Sequence, residues 1–157
     1  MIARRWIGAL LVATLASGCG TAARYRHPGD RLERVRLLPP VAGTVSSGFG
    51  NRSGGRHAGI DILAPDGAEV RAALPGRVEY SRSGMRGYGN VVILYHGEGI
   101  TTLYGHLATI RVQSGETVPS GAVIGAVGRS GNATTHHLHF ELRVDGEAVD
   151  PVPYLNR

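Results

Sequence analysis

The 157-residue chain contains no lysine: its basic side chains are all arginine, 17 of them against 12 acids. Domains built from glycine-spaced short strands include carriers that attach biotinyl or lipoyl groups to lysine. Without lysine, that class is excluded. A single cysteine, Cys19, excludes an intramolecular disulfide. Long helical periodicity is scarce, whereas glycine is abundant at 24 residues and proline numbers 8. That balance disfavours a helical bundle and predicts an all-β domain of short strands and tight turns. No apolar run is long enough to cross a bilayer; the longest, about Trp6 to Ala16, falls well short of the roughly 20 residues required.

The formal charge of +5 and the pI near 10 would ordinarily suggest nucleic acid as a partner. The charge is unevenly placed, however. Arg4, Arg5, Arg24, Arg26, Arg31, Arg34 and Arg36 all precede residue 41, and from Val41 onward ten arginines meet ten acids. The main domain is therefore formally neutral, and no nucleic-acid partner is expected.

Residues 1–18 read as a signal peptide: a basic start (Arg4, Arg5), the apolar run, then Leu15-Ala16-Ser17-Gly18 before Cys19. The ending resembles a bacterial lipobox, although Ala16 stands where such signals usually carry leucine. The resemblance implies cleavage before Cys19 and a diacylglyceryl group on its sulfur, giving a cell-envelope lipoprotein held at a membrane by buried methylenes. In a diderm cell, Gly20 after the cysteine points to the periplasmic face of the outer membrane. Residues 19–40 read as a basic tether ending in Pro39-Pro40, with room for a short helix between Asp30 and Leu38.

Residues 41–157 form the expected domain. Gly43 to Gly50 reads as a strand entering a glycine turn, and Ser81 to Gly89 as a glycine-rich loop. Asn90 to His96 and Ile100 to Leu107 flank the turn Gly97-Glu98-Gly99 as a hairpin. His57-Ala58-Gly59-Ile60-Asp61-Ile62 reads as one strand placing His57, Gly59 and Asp61 on one face, with Gly59 leaving room between the polar pair. In His137-Leu138-His139-Phe140-Glu141, alternation puts His137, His139 and Glu141 on one side, and Leu138, Phe140, Leu142 and Val144 on the other. Three histidines at 136, 137 and 139 are costly in a strand that only packs, so the polar side is expected to bind something.

Five residues stand out: His57, Asp61, His106, His137 and His139. A catalytic zinc site takes three protein ligands and leaves one position open. Two further imidazoles could orient a water, take its proton or stabilise an oxyanion. The count fits three ligands plus two catalytic histidines.

The stretches His57-Ala58-Gly59-Ile60-Asp61, Leu103-Tyr104-Gly105-His106-Leu107 and His137-Leu138-His139-Phe140-Glu141, in that order, resemble the lysostaphin/LytM-type zinc endopeptidases of bacterial cell walls. The resemblance runs from about Val45 to Leu155 and includes the closing Val149-Asp150-Pro151. It implies an antiparallel two-layer β-sandwich with glycine-rich loops around a zinc groove. It further implies one Zn²⁺ on His57, Asp61 and His139, catalytic roles for His106 and His137, and hydrolysis of peptide bonds in peptidoglycan stems or cross-links. A monomer is expected. Because some relatives on this fold instead activate other wall hydrolases, a non-catalytic regulator is the alternative; retention of all five residues argues against loss of zinc.

Several neighbours carry open readings. Glu141 either supports a ligand from behind or is an exposed charge at the strand's end. Tyr104 either points into the groove or is an ordinary strand aromatic. His136 stands where relatives commonly carry proline and falls on the apolar side of the alternation, so it is not expected to be a ligand. His96 is expected to be structural, and His27 solvated.

Overall fold

The structure, a computed structural model, describes residues 31–52 and 55–156. The signal peptide, the lipidation site Cys19, His27 and the tether up to residue 30 lie outside the described residues.

Among the described residues, thirteen strands follow in chain order: β1 (Thr44–Ser47), β2 (Gly50–Arg52), β3 (Gly55–His57), β4 (Ile60–Leu63), β5 (Glu69–Arg71), β6 (Gly76–Met85), β7 (Gly89–Tyr95), β8 (Ile100–Gly105), β9 (Leu107–Ile110), β10 (Thr117–Val118), β11 (Val123–Val127), β12 (His137–Val144) and β13 (Glu147–Val149). Eight of them form one antiparallel sheet in the order β1-β4-β12-β8-β7-β6-β10, with β13 also paired to β12. A second sheet, β5-β11-β9, supplies the other layer, and β2 and β3 form a separate ribbon. The expected all-β antiparallel class therefore holds.

Between the layers lies one apolar core. Val92, Leu94, Leu138, Phe140 and Leu142 from the large sheet meet Val70, Leu107 and Ile124 from the small one. The alternation read from β12 sets this directly: Leu138, Phe140, Leu142 and Val144 are completely buried. Their opposite neighbours on the strand face the outer side of the large sheet.

The folded body begins earlier than residue 41. Leu32, Val35 and Leu37 belong to the core, the Leu37 N–H donates to the Tyr154 carbonyl at 2.8 Å, and the Leu38 N–H to the Ala73 carbonyl at 3.0 Å. Arg31 pairs with Asp145 and donates to the Glu98 carbonyl at 2.7 Å. Residues 31–40 thus pack as part of the domain and are not tether. The arginines between the apolar positions mask this in the sequence, because they point outward while Leu32, Val35 and Leu37 supply enough apolar area to dock the segment.

Two other expectations change. Most of the loop expected over Ser81–Gly89 is strand: β6 continues to Met85, which pairs with Gly89 of β7. The single strand expected over 57–62 is broken, with His57 ending β3 and Ile60 starting β4. Gly59 at this break does not open space between His57 and Asp61. A Cβ there would collide with the Phe140 carbonyl, so glycine is what lets the chain approach β12.

Candidate metal centre

The register of the large sheet assembles the site. Asp61 on β4 is the direct cross-strand partner of His139 on β12, which is flanked on its other side by Gly105 of β8. His57 arrives from the β2–β3 ribbon. The three potential ligand atoms, all within 4.8 Å of one another, are the only such group of three among the described residues. His57 Nε2 lies 3.1 Å from Asp61 Oδ1 and 3.1 Å from His139 Nδ1, and His139 Nδ1 lies 2.8 Å from Asp61 Oδ1.

The second nitrogen of each ring defines what the inner atoms are. His57 Nδ1 donates to the Gly48 carbonyl at 2.7 Å, and His139 Nε2 donates to Glu141 Oε1 at 2.9 Å. Neutral rings bonded in this way direct lone pairs, not protons, at one another and at a carboxylate. Two imidazole lone pairs and a carboxylate oxygen converging at about 3 Å repel unless a cation sits among them. A proton can fill that role as well as a metal ion: with no metal bound, His139 donates through Nδ1 to Asp61 as well as through Nε2 to Glu141. Burial pushes the Asp61 carboxyl up, but the His139 hydrogen bond and the surrounding histidines outweigh it and hold it below the usual range. Burial likewise pushes His139 down, and its bonds to Asp61 and Glu141 more than reverse that. The site favours positive charge.

His106 and His137 stand beside this trio, their ring centroids 4.8 Å apart, with His106 at 5.8 Å from His139. His106 Nδ1 donates to the Ser130 carbonyl at 2.8 Å and His137 Nδ1 to the Thr135 carbonyl at 2.9 Å. Each ring therefore keeps Nε2 as a basic nitrogen; that of His137 is 3.7 Å from Asp61 Oδ1. Burial is the main influence pushing His106 down, which keeps its imidazole neutral. All five residues line one open groove of about 370 Å³, together with Arg52, Arg56 and Asn132 to Thr134.

The remaining candidates separate cleanly. Glu141 is not an exposed charge: it is completely buried, with Tyr88 Oη donating to Oε1 at 2.8 Å and Arg143 Nε to Oε2 at 2.6 Å. Burial pushes its carboxyl up, but the hydrogen bonds from His139, Arg143 and Tyr88 outweigh it and hold the group below the usual range. Tyr104 does not support the site. It lies in the core against Phe140, its oxygen accepts the Ala73 N–H at 2.9 Å, and burial pushes its hydroxyl up to about 12. Its register opposite Phe140 sets that side, and the alternation ends at His106, which sits at φ 61°. Positions 104 and 106 of a regular strand would share a face, but this left-handed residue breaks the alternation and sends the two rings to opposite sides of the sheet. His136 lies 3.6 Å from Asp66, outside the groove lining. His96 is structural, held between the Pro75 carbonyl and Thr102 Oγ1 at 2.8 Å each. Tyr88 is the contributor that sequence reasoning missed. Its ring centroid is 5.3 Å from that of His139, and only its place between two glycines, a sign of tight packing, marked it.

Residues 55–151 match the family described as Peptidase family M23. Among curated proteins, the chain is 42% identical over 123 residues to the DD-carboxypeptidase/endopeptidase Mpg of Neisseria meningitidis, covering 74% of this chain and 28% of that protein. It is 38% identical over 116 residues to the murein hydrolase activator NlpD of Escherichia coli, covering 74% of this chain and 30% of that protein. Among solved structures, lysostaphin from Staphylococcus simulans superposes with a TM-score of 0.67 at 30% identity, over 71% of this chain and 48% of that one. A zinc containing peptidase from Vibrio cholerae does so with a TM-score of 0.66 at 33% identity, over 74% and 39%. The chain spans less than a third of the length of these two curated relatives. The matched segment holds His57, Asp61, His106, His137 and His139 together, and the chain belongs to peptidase family M23.

Proposed function

We propose that this protein is a zinc-dependent endopeptidase that hydrolyses peptide bonds in peptidoglycan stem peptides or cross-links, held at the cell envelope by a lipid on Cys19. The observation that carries this reading is the lone-pair geometry: two imidazole nitrogens and one carboxylate oxygen converge, and two further imidazoles face the same groove. Two nitrogens and one oxygen suit zinc and leave its fourth position open. When bound, zinc polarises the scissile carbonyl and lets a water ionise near neutral pH. The chain's own part is proton handling. His137 and His106, each with its Nδ1 proton committed to a backbone carbonyl, use Nε2 to take the water's proton, pass it to the leaving amine and offset charge on the carbonyl oxygen. Wall peptide as substrate is supported by the names of the endopeptidase and murein hydrolase activator relatives.

The activator relative also supports a second reading, a regulator that binds the wall or stimulates another hydrolase. The two separate in one experiment: zinc content of the full chain purified in detergent, with digestion of isolated peptidoglycan by wild type and His139→Ala. The endopeptidase reading expects about one zinc per chain and muropeptide release that disappears in the variant. Equal release by both proteins overturns the ligand assignment. Zinc-free protein that releases nothing but stimulates an added wall hydrolase establishes the regulator.

A further inference from the structure

Tyr88 reaches both halves of the centre. Its hydroxyl donates to Glu141 Oε1, the same oxygen that accepts the His139 Nε2 proton. Its backbone carbonyl accepts the His106 N–H at 2.8 Å, the contact that anchors the left-handed residue at that point. The turn carrying Tyr88 is itself fixed. The Asn132 N–H donates to the Gly87 carbonyl at 2.9 Å, and Gly89 and Gly131 approach so closely that a Cβ on either would strike the opposite loop. Tyr88 therefore sits in a set position, not on a free loop.

Resting on the zinc reading, we infer that Tyr88 is a positioning residue of this centre, acting through Glu141 to hold His139 in the tautomer that offers Nδ1 to the metal. A completely buried carboxylate needs donors on both oxygens. Glu141 has three: His139 and Tyr88 on Oε1, and Arg143 on Oε2. Arg143 supplies the counter-charge that keeps Glu141 an acceptor, and Tyr88 fixes the direction of the oxygen that His139 uses. An unsupported Oε1 would let the imidazole rotate, with Nδ1 turning away from Asp61 and His57. This is how a partner behind a histidine ligand sets metal affinity without touching the metal.

The test is zinc affinity of the full chain in detergent, measured by competition with a chromophoric chelator, together with the absorption spectrum of the cobalt-substituted protein. Glu141→Gln is expected to bind zinc about 10–100-fold more weakly, and Tyr88→Phe about tenfold more weakly, each with an altered cobalt spectrum. Arg143→Lys, which keeps a donor and a charge, is expected to retain most of the affinity. Because Tyr88→Phe keeps the backbone carbonyl, the limb of the pH–rate profile that reports His106 should stay in place while affinity falls. Variants that melt earlier yet keep wild-type zinc affinity and cobalt spectrum would overturn the inference and leave Glu141 a structural ion pair. If Glu141→Gln does not fold, Tyr88→Phe decides alone. A wild-type chain that takes up neither metal overturns the zinc reading and this inference with it.

Discussion

The two faces of β12 are almost equally buried and are held by different physics. On one, Leu138, Phe140, Leu142 and Val144 are sealed in the core and contribute through area and packing, which have no preferred direction. On the other, the side chains of His137, His139 and Glu141 are only 12%, 7% and 0% exposed, yet each is held by directional bonds to no more than a few named partners. The first face sums many small contacts; the second is a chain of single ones from Arg143 to Glu141 to His139 to Asp61. A substitution on the apolar face should therefore cost stability and leave the site's chemistry intact in the molecules that remain folded. A substitution on the polar face should do the reverse.

The largest effect tests the polar face. Removing zinc with a chelator, or making His139→Ala, should abolish muropeptide release, while circular dichroism still reports the β-sheet signature; collapse of the sheet on metal removal would break the comparison. Next, His137→Ala and His106→Ala should each slow hydrolysis about 10²–10⁴-fold, the range for a lost proton-transfer group, with zinc still bound near one per chain. Zinc loss in either variant would move that histidine into the ligand set.

The apolar face gives the next largest effect. Phe140→Ala should cost about 3–5 kcal/mol in denaturant unfolding, and Phe140→Leu under about 1.5 kcal/mol because it loses far less volume. Zinc affinity per folded molecule should be unchanged in both; a parallel loss of affinity would show that the two faces are coupled. The smallest effect comes from His96, which burial holds below its ordinary value of 6.5. The folded state keeps this ring neutral while the unfolded chain takes up a proton near that value, so unfolding gains protons. Its contribution should be complete above 6.5 and lost as the pH falls toward the folded-state value, and the melting temperature should track it. His96→Gln should flatten that slope.

Much of the site was legible because strands write their faces into every second residue. Alternation in β12 separated His139 and Glu141 from Phe140, and the five residues singled out at 57, 61, 106, 137 and 139 line one groove. What was not legible depended on contacts from elsewhere. Glu141 could be read as buried support or as exposed charge until Tyr88 and Arg143 were seen around it. Tyr104 could be placed near the groove until its register opposite Phe140 put it on the core side. Leu32, Val35 and Leu37 looked like tether because arginines surround them in the sequence, and no local pattern reports that Tyr154 and Ala73 will supply their backbone partners.

The sequence by itself determined the fold class, the period-two face that carries the histidines, and the residue types able to hold a metal and move protons, because these follow from local geometry and side-chain chemistry. Tertiary structure decided the rest: that Asp61 and His139 pair across β4 and β12, that Gly59 yields its space to the Phe140 carbonyl, and that Tyr88 reaches Glu141 from a distant turn. Those are relations between segments dozens of residues apart, set by strand register and loop packing, and no window of the chain contains both partners.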